Sequence, residues 1–509
     1  MLTKHTFETR NMKVLEDLIA PAFFADLVSR LIAFLISRYS NRACFEETAI
    51  KLELLVLKIH AVIQEAEHRH IAGNQSLLLW LKKLIKGMYQ AYYVLDNARH
   101  PQDDQYINSV VTSGRSVSLS RFCCPAKRPR TVAMDFQVNN NGSIHQLSST
   151  LAFLEDYSAN LRDLILLLAC CPPLPIRQPV SDFLSDERNM FGRLVEREQI
   201  ISFLMQPGNH LGVLPIVGGP EVGKGTIIKH VCNDDRVRNR FDMILYSYGS
   251  ILQINPADDV LETLTSHGHI LHQADVSTSS LHRKHLIVIK NTYEVVIDKV
   301  AWATLCASLR SIGNGSKIII VSENDNIKDL GTTGAMRIDP LLQEEYWYFF
   351  RSLAFGSGSS ILEEHAGLAV VGRQIAAELH GSLFGAKVLG RFLRANLDEQ
   401  FSHTMLNTVY RFHEVMQRDK YFTKLSIARV ALKVLPMPLR LKSASQTGEA
   451  SEMPGTMVQE LVAGSVLPVE KEMEVVLWES AYQPSYRYTV VCERVEKPRC
   501  SATKRMKQK

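Results

Sequence analysis

Apolar residues recur every three or four positions in the first hundred residues, and this spacing predicts amphipathic helices. The two clearest stripes consist of Leu52, Leu55, Ile59, Val62 and Ala66, then of Leu77, Leu81, Leu84, Met88, Ala91 and Leu95. Two such helices joined by a short link bury their stripes against each other. With a third apolar segment, "LVSRLIAFLISRY" (residues 27–39), they predict an antiparallel helical bundle over residues 1–110.

The periodicity is lost over residues 111–142, which we predict to be a linker. The stretches "TSGRSVSLS", "AKRPR" and "VNNNGS" have the glycine, proline, serine and asparagine content of loops. A connecting helix is predicted at 143–175, because leucines recur along one side of it and the prolines of "CCPPLPIRQP" end it. These leucines are Leu147, Leu151, Leu154, Leu161, Leu164 and Leu168.

Short β-branched runs begin near residue 180 and alternate with segments long enough for helices. The runs are "LGVLPIV", "MILYS", "HLIVIK" and "KIIIVS", and they predict a parallel sheet buried on both faces over residues 180–338. Residues 339–415 read as helices. In residues 416–509 the stretch "KSASQTGEASEMPG" reads as a linker and the end of the chain as a basic tail. Between them, "MEVVLWES" and "YRYTVVCERVE" read as two strands that pair. The fold class is therefore multidomain α and α/β, without a leucine-rich repeat array.

The composition is that of a packed protein with several domains: 509 residues, 46% hydrophobic and 22% charged. Nine cysteines without CxxC spacing favour a reducing, intracellular compartment. We expect a cytoplasmic protein without a membrane span, because the apolar runs stay below the roughly 20 residues that a spanning helix needs. The basic tail 497–509 leaves nuclear entry as an alternative, although a solvated end is favoured over a nucleic-acid patch.

The stretch "VGGPEVGKGTIIKH" follows an apolar strand and opens a helix, and its spacing, Gly218-x-x-x-x-Gly223-Lys224, is that of a phosphate-binding loop. Glycines let backbone N–H groups approach phosphate oxygens, and the lysine adds a point charge. The hydroxyl that normally follows the lysine and holds Mg²⁺ is replaced by Gly225, and Thr226 points another way on the helix. The loop therefore predicts phosphate binding with poor hydrolysis; the alternative is a glycine-rich turn with an incidental lysine.

The motifs in order resemble the plant nucleotide-binding, leucine-rich-repeat immune receptors, that is, NB-ARC disease-resistance proteins, and in particular grass-type members with an Rx-like coiled-coil bundle. The resemblance covers residues 40 to 415. Its segments are "MYQAYYVLDNAR", "MFGRLVEREQIISFL", "GGPEVGKGTI", "RVRNRFDMILYSYGS", "RKHLIVIKNTYE", "GSKIIIVSEND", "LQEEYWYFFRSLAFGS" and "IAAELHGSLFGAKVLGRFLRAN". The resemblance implies a helical ARC1 domain at 339–415 and a bound ADP or ATP.

The resemblance also implies the residues of the nucleotide site. Around the phosphates these are Gly218, Gly219, Val222, Gly223, Lys224, Gly225 and Thr226. Gly192 and Arg193 are candidates for lining the base. Leu383 stands where the family has the proline of its GLPL motif, which packs near the adenine.

The chain departs from the family at the positions that carry catalysis. Lys290 and Asn291 replace two aspartates that end the Walker B strand, and Glu323 replaces an arginine that reaches the γ-phosphate. We therefore expect no catalytic residues, poor retention of Mg²⁺ and little or no hydrolysis. The family's winged-helix motif and repeats have no match, which predicts a truncated receptor.

Three functions compete. The leading hypothesis is a non-enzymatic immune-defence protein whose ADP/ATP site is a signalling switch or scaffold. The second is a nucleotide-free decoy or adaptor that binds other immune receptors or effectors through its N-terminal bundle. The third and least favoured is an active ATPase. We expect no metal site and interpret the grouped histidines as solvated loop residues: His267, His269, His272, His282 and His285.

Overall fold

The computed structural model describes residues 43–71, 73–99, 136–174, 191–208, 210–248, 265–266, 268–274, 283–291, 299–312, 315–356, 366–415, 423–435, 439–447, 455–464, 472–480 and 487–494. The chain divides into two compact units, Met1–Gln178 and Pro179–Lys509. The predicted helix at 27–39, the "AKRPR" stretch and the basic tail lie outside the described residues, as do His267 and His282.

The first unit contains a bundle of helices, as the apolar spacing predicted. Helices α1 (Ala43–Glu67), α2 (Gln75–Arg99) and α3 (Phe136–Ser158) pack against one another, and α4 (Leu161–Ala169) packs against α1. All six residues of the second predicted stripe are buried, and so are four of the five in the first. The exception is Leu55, which is partly exposed because Val56 faces the core instead.

Two predictions for residues 111–175 are corrected. The loop prediction for "VNNNGS" is wrong, because α3 already begins at Phe136. Adding residues to the end of an established helix costs little compared with nucleation, so low intrinsic propensity does not stop it. The single connecting helix is in fact two helices separated at Asn160, and both belong to the bundle because their leucines Leu147, Leu154 and Leu164 are fully buried.

The second unit begins with α5 (Leu194–Met205) and a six-stranded sheet. The strands are β1 (Gly212–Gly218), β2 (Met243–Tyr248), β3 (His269–Gln273), β4 (His285–Lys290), β5 (Lys317–Ser322) and β6 (Met336–Ile338). Their order is β3-β2-β4-β5-β1-β6, all parallel except β3, which pairs antiparallel with β2. The four predicted strands are confirmed. The prediction missed the short β6 and the exposed edge strand β3, because neither has the continuous apolar run by which the other strands were identified.

The central strands are covered on both faces. Every residue of β1 and β5 is buried, and successive strand residues point to opposite faces. The helices of this part are α6 (Lys224–Cys232), α7 (Asp235–Arg240) and α8 (Lys299–Ile312). Trp302, Leu305 and Leu309 of α8 share one apolar core with Ile287 and Ile318. The parallel arrangement places the carboxyl ends of the strands at one edge, where the loop after β1 lies.

A helical part follows, as predicted for residues 339–415. Its helices are α9 (Gln343–Phe355), α10 (Ala366–Glu378), α11 (Leu383–Ala395), α12 (Glu399–Val415) and α13 (Lys424–Val434). Helix α9 packs against α10 and α11, and α13 packs against α11 and α12. The Tyr346 hydroxyl donates a hydrogen bond of 2.6 Å to the carbonyl of Ser382, which joins α9 to the residue that caps α11.

The unit ends in a four-stranded sheet of order β7-β10-β9-β8. Its elements are β7 (Leu439–Thr447), β8 (Thr456–Met457), α14 (Val458–Val462), β9 (Glu472–Glu479) and β10 (Arg487–Arg494). The predicted pairing of the last two strands is confirmed. The linker prediction is wrong for residues 442–447, which belong to β7, because pairing with β10 overrides their weak strand propensity. The predicted domain boundaries stay predictions.

Candidate functional site

The loop after β1 requires glycine at its two ends. A Cβ at Gly218 would overlap the backbone carbonyl oxygen of Ile338 on the neighbouring strand β6. Gly223, which caps α6, has φ 92°, the left-handed region that other residues avoid. The first N–H groups of a helix have no partners within it and form its positive end, so the start of α6 can receive phosphate oxygens.

Lys224 is held across this loop. Its Nζ donates hydrogen bonds of 3.1 Å and 2.6 Å to the carbonyl oxygens of Gly218 and Gly219, and lies 4.0 Å from Oε1 of Glu323. The residue is only 8% exposed. Burial lowers the pKa of Lys224, and the Glu323 carboxylate opposes that shift. The loop therefore holds a largely desolvated ammonium group beside the helix start.

A cavity of about 430 Å³ opens beside the loop, which is within the size range of small-molecule sites, roughly 300–1,000 Å³. It is built from the loop, the ends of β4 and β5, the starts of α11 and α13, and β9. Of the described residues that line it, five are cationic (Arg193, Lys224, Lys290, Lys387, Lys424) and two are carboxylates (Glu221, Glu323). The formal excess of positive charge favours an anionic ligand.

The structure brings most of the predicted site residues to this cavity. Those that line it are Arg193, Gly223, Lys224, Gly225, Thr226 and Leu383, together with Lys290, Asn291 and Glu323. Those outside its lining are Gly192, Gly218, Gly219 and Val222. Three of these contribute backbone carbonyls instead: those of Gly218 and Gly219 accept hydrogen bonds from Lys224. The Val222 carbonyl accepts a hydrogen bond of 3.2 Å from the guanidinium of Arg193, which also donates to the carbonyl of Asp339 at 2.6 Å.

Two residues inside the motif change the loop in a way that the sequence reasoning missed. Pro220 has no N–H to offer a phosphate. Glu221 has φ 57°, and its carboxylate accepts a hydrogen bond from the Ser382 hydroxyl. Burial raises the pKa of Glu221 to about 7, while the Ser382 hydrogen bond and Lys424 oppose the shift. The sequence "PEV" already indicated this change. A phosphate loop needs backbone N–H donors, and here the proline lacks one and the glutamate adds a carboxylate.

Two other lining residues, Lys424 and Trp478, come from distant parts of the sequence and gave no signal there. Lys424 is the first residue of α13. Trp478 on β9 lies under the ammonium of Lys387, 5.3 Å from Nζ to the ring centroid, and edge-on to Phe384. Just beyond it, the Ser480 hydroxyl accepts a hydrogen bond of 2.9 Å from Nζ of Lys229 on α6. The C-terminal sheet therefore contributes to the wall of the cavity.

The interpretation of the histidines as loop residues is wrong for the three that the structure describes. His269 and His272 lie on strand β3, and His285 begins β4 with 2% exposure. Burial lowers the pKa of His285, which keeps the imidazole neutral inside the sheet. Within the described ranges, no group of three His, Cys, Asp or Glu side chains is placed to hold a metal ion.

Comparison with known proteins gives two family matches. The NB-ARC domain profile matches residues 195–359, and the Rx N-terminal domain profile matches residues 23–122. The disease resistance protein RGA2 of Solanum bulbocastanum is 23% identical over 398 residues, which cover 75% of this chain and 38% of that protein. The putative disease resistance RPP13-like protein 1 of Arabidopsis thaliana is 23% identical over 395 residues, which cover 74% of this chain and 36% of that protein. The chain thus spans less than half the length of these relatives.

The comparison with solved structures also gives matches, of which two follow. Domain III of the Thermotoga maritima replication initiation protein DnaA is 12% identical with a TM-score of 0.22, covering 50% of this chain and 97% of that one. Cdc6p from Pyrobaculum aerophilum is 12% identical with a TM-score of 0.23, and the match covers 51% of this chain and 81% of that one.

Proposed function

We propose that this chain, which matches the NB-ARC and Rx N-terminal domain profiles and is similar to plant disease resistance proteins, acts in immune defence by binding ADP or ATP as a switch or scaffold. The observation that carries the proposal is the cationic cavity at the phosphate-binding loop. The helix start and Lys224 supply the two features that recognise phosphate, namely backbone N–H groups and a fixed charge. A nucleotide changes the balance between two states only if it binds one of them better.

We propose further that the chain hydrolyses ATP poorly. Gly225 has no hydroxyl, Lys290 stands at the end of β4 where an acid would organise the metal, and Glu323 presents negative charge where the γ-phosphate would lie. Steady phosphate release in Mg²⁺ that Lys224→Ala abolishes would contradict this.

Thermal unfolding of the full chain tests nucleotide binding. A ligand that binds only the folded state stabilises it by about 2.7 kcal/mol at a concentration of 100 Kd. We therefore expect saturating ADP to raise Tm by several degrees, and Lys224→Ala to lose most of that rise. Lys328→Ala is the control, because Lys328 is an exposed lysine that forms an ion pair with Asp325 outside the cavity. An equal Tm with and without ADP would overturn the proposal.

A second candidate is the nucleotide-free decoy or adaptor. It is favoured by Pro220, which removes one backbone N–H from the loop, and by Glu221, which adds a carboxylate to it. In either case we propose that the bundle binds other proteins, such as immune receptors or effectors. Exposed Leu54, Leu79 and Leu166 on its helices offer apolar contact area.

The proposed compartment is the cytoplasm, with nuclear entry as the alternative. In the part of the chain that the structure describes, no helix is both long and apolar enough to cross a membrane. The grass-type assignment and the truncation stay predictions.

A further inference from the structure

The cavity offers only two carboxylates to a divalent cation among its described lining residues, and the other side-chain oxygens there are neutral: those of Thr226, Asn291, Ser322 and Thr423. Mg²⁺ takes six oxygens in near-octahedral geometry, one or two of them from carboxylates. Lys290 ends β4, and Gly225 has no side chain. Of the two lining carboxylates, Glu221 accepts a hydrogen bond from Ser382 and Glu323 lies 4.0 Å from Nζ of Lys224. The residues present therefore do not fit the magnesium ion that phosphate-binding loops usually employ.

Three of the four lysines that line the cavity begin or end an element of secondary structure. Lys224 begins α6, Lys290 ends β4 and Lys424 begins α13. Parallel pairing of β1, β5 and β4 brings the first two to one edge of the sheet, and α13 supplies the third. Burial, followed by the neighbouring charges of Lys424 and Lys224, lowers the pKa of Lys290 to about 8, while the Glu323 carboxylate opposes the shift. Lys290 is thus close enough to both Lys224 and Lys424 for their charges to repel its own.

A polyanion relieves the repulsion between these ammonium groups. Bringing like charges together in a desolvated place is unfavourable, and an anion between them restores both the charge balance and the hydrogen bonds. A phosphate chain offers both, because its oxygens accept hydrogen bonds from ammonium groups. A nucleotide already complexed with Mg²⁺ carries less negative charge and brings a cation into a cavity that has a positive excess. The metal-free nucleotide is therefore the better match.

We propose that Lys290 and Lys424 take the place of the divalent cation, so that this cavity binds the phosphate chain of an adenine nucleotide in its metal-free form. The inference rests on the proposed function for the adenine part only. The lysines recognise the phosphate chain itself, and any linear polyphosphate shares that chemistry.

Calorimetric titration of the full chain with ADP and ATP, in EDTA and in excess Mg²⁺, tests the inference. We expect the dissociation constant to be about tenfold lower in EDTA than in Mg²⁺. A tenfold change corresponds to the interaction energy that shifts a pKa by about one unit. Loss of binding in EDTA with recovery in Mg²⁺ would overturn the proposal.

Variants locate the effect. Lys290→Met keeps most of the length of the side chain and removes its charge. Lys424→Met does the same from another element, so the test survives if one of them fails to fold. Each is expected to weaken binding in EDTA about tenfold and to reduce the difference between EDTA and Mg²⁺. Lys317→Met is the control, since Lys317 is a buried lysine at the opposite end of β5 and outside the cavity lining. Unchanged EDTA binding in both cavity variants would contradict the proposal.

Tripolyphosphate in EDTA separates this inference from the proposed function. If tripolyphosphate binds and Lys290→Met weakens it while ADP does not bind, the lysine cluster is a polyphosphate site and the adenine proposal fails. If ADP binds only with Mg²⁺, the proposed function stands and the inference fails. If neither probe binds, both are overturned.

Discussion

The loop after β1 and the ends of β4 and β5 meet at one edge of the same sheet, but they have kept different properties. The loop retains its two conformationally required glycines and a buried lysine bonded to its carbonyls. The strand ends carry Lys290 and Glu323, where metal binding and sensing of the γ-phosphate would need the opposite charges. Holding a phosphate and organising a metal are thus separable tasks, because one depends on backbone shape and the other on particular side-chain oxygens.

The comparison also explains why the loop side is the more constrained of the two. Gly218 lies against the backbone of β6, and Gly223 has a backbone conformation that costs other residues energy. Lys290 and Glu323, in contrast, border the cavity without a left-handed backbone conformation. A loop with such packing demands can persist for structural reasons even where catalysis has no role.

The largest expected effect is a difference in stability between alanine substitutions at two adjacent glycines. Gly218→Ala should destabilise the second unit by about 2 kcal/mol, because its Cβ would overlap the carbonyl oxygen of Ile338 and the backbone must shift. Gly219→Ala should cost less than about 1 kcal/mol, since its Cβ would meet only Val222 at 3.8 Å. Urea unfolding followed by tryptophan fluorescence measures both. Equal destabilisation would show that the loop is not held by β6.

A smaller effect is expected at the end of β5. Glu323→Arg should raise the affinity for ATP relative to ADP about tenfold, because it replaces repulsion of the γ-phosphate by attraction across a partly exposed site. Glu323→Gln, which removes only the repulsion, should give an intermediate ratio. Titration calorimetry with both nucleotides measures it. An unchanged ratio in both variants would mean that the γ-phosphate does not approach this strand end.

The smallest effect concerns pH and Glu221. Its raised pKa, about 7, leaves the carboxyl mostly neutral at pH 6 and ionised at pH 8, where it repels phosphate although Lys424 offsets part of that charge. ADP affinity should therefore fall roughly threefold to tenfold from pH 6 to 8. Glu221→Gln should flatten this fall. The ratio between the two proteins cancels the titration of the nucleotide itself, and a constant ratio across this range would exclude Glu221 as the cause.

Much of the fold follows from local patterns. Leu77, Leu84 and Leu95 recur at helical spacing and are buried, and the four apolar runs around residues 212–322 are strands. The sequence was less informative where pairing decides the structure. Residues 442–447 look like a linker but form β7 by pairing with β10, and "VNNNGS" looks like a loop but extends α3. Interactions with distant residues override weak local preference in such segments.

The loop, its lysine and the loss of the hydroxyl at Gly225 follow from the sequence alone, because these lie within one short motif whose spacing sets their geometry. The family resemblance also placed Lys290 at this site. That Lys424 and Trp478 border the loop became visible only in the folded chain. They lie 200 and 254 positions beyond Lys224 in the numbering, and the packing of α13 and β9 brings them there. The charge of a cavity is the sum over all elements that meet at it, and no local pattern contains that sum.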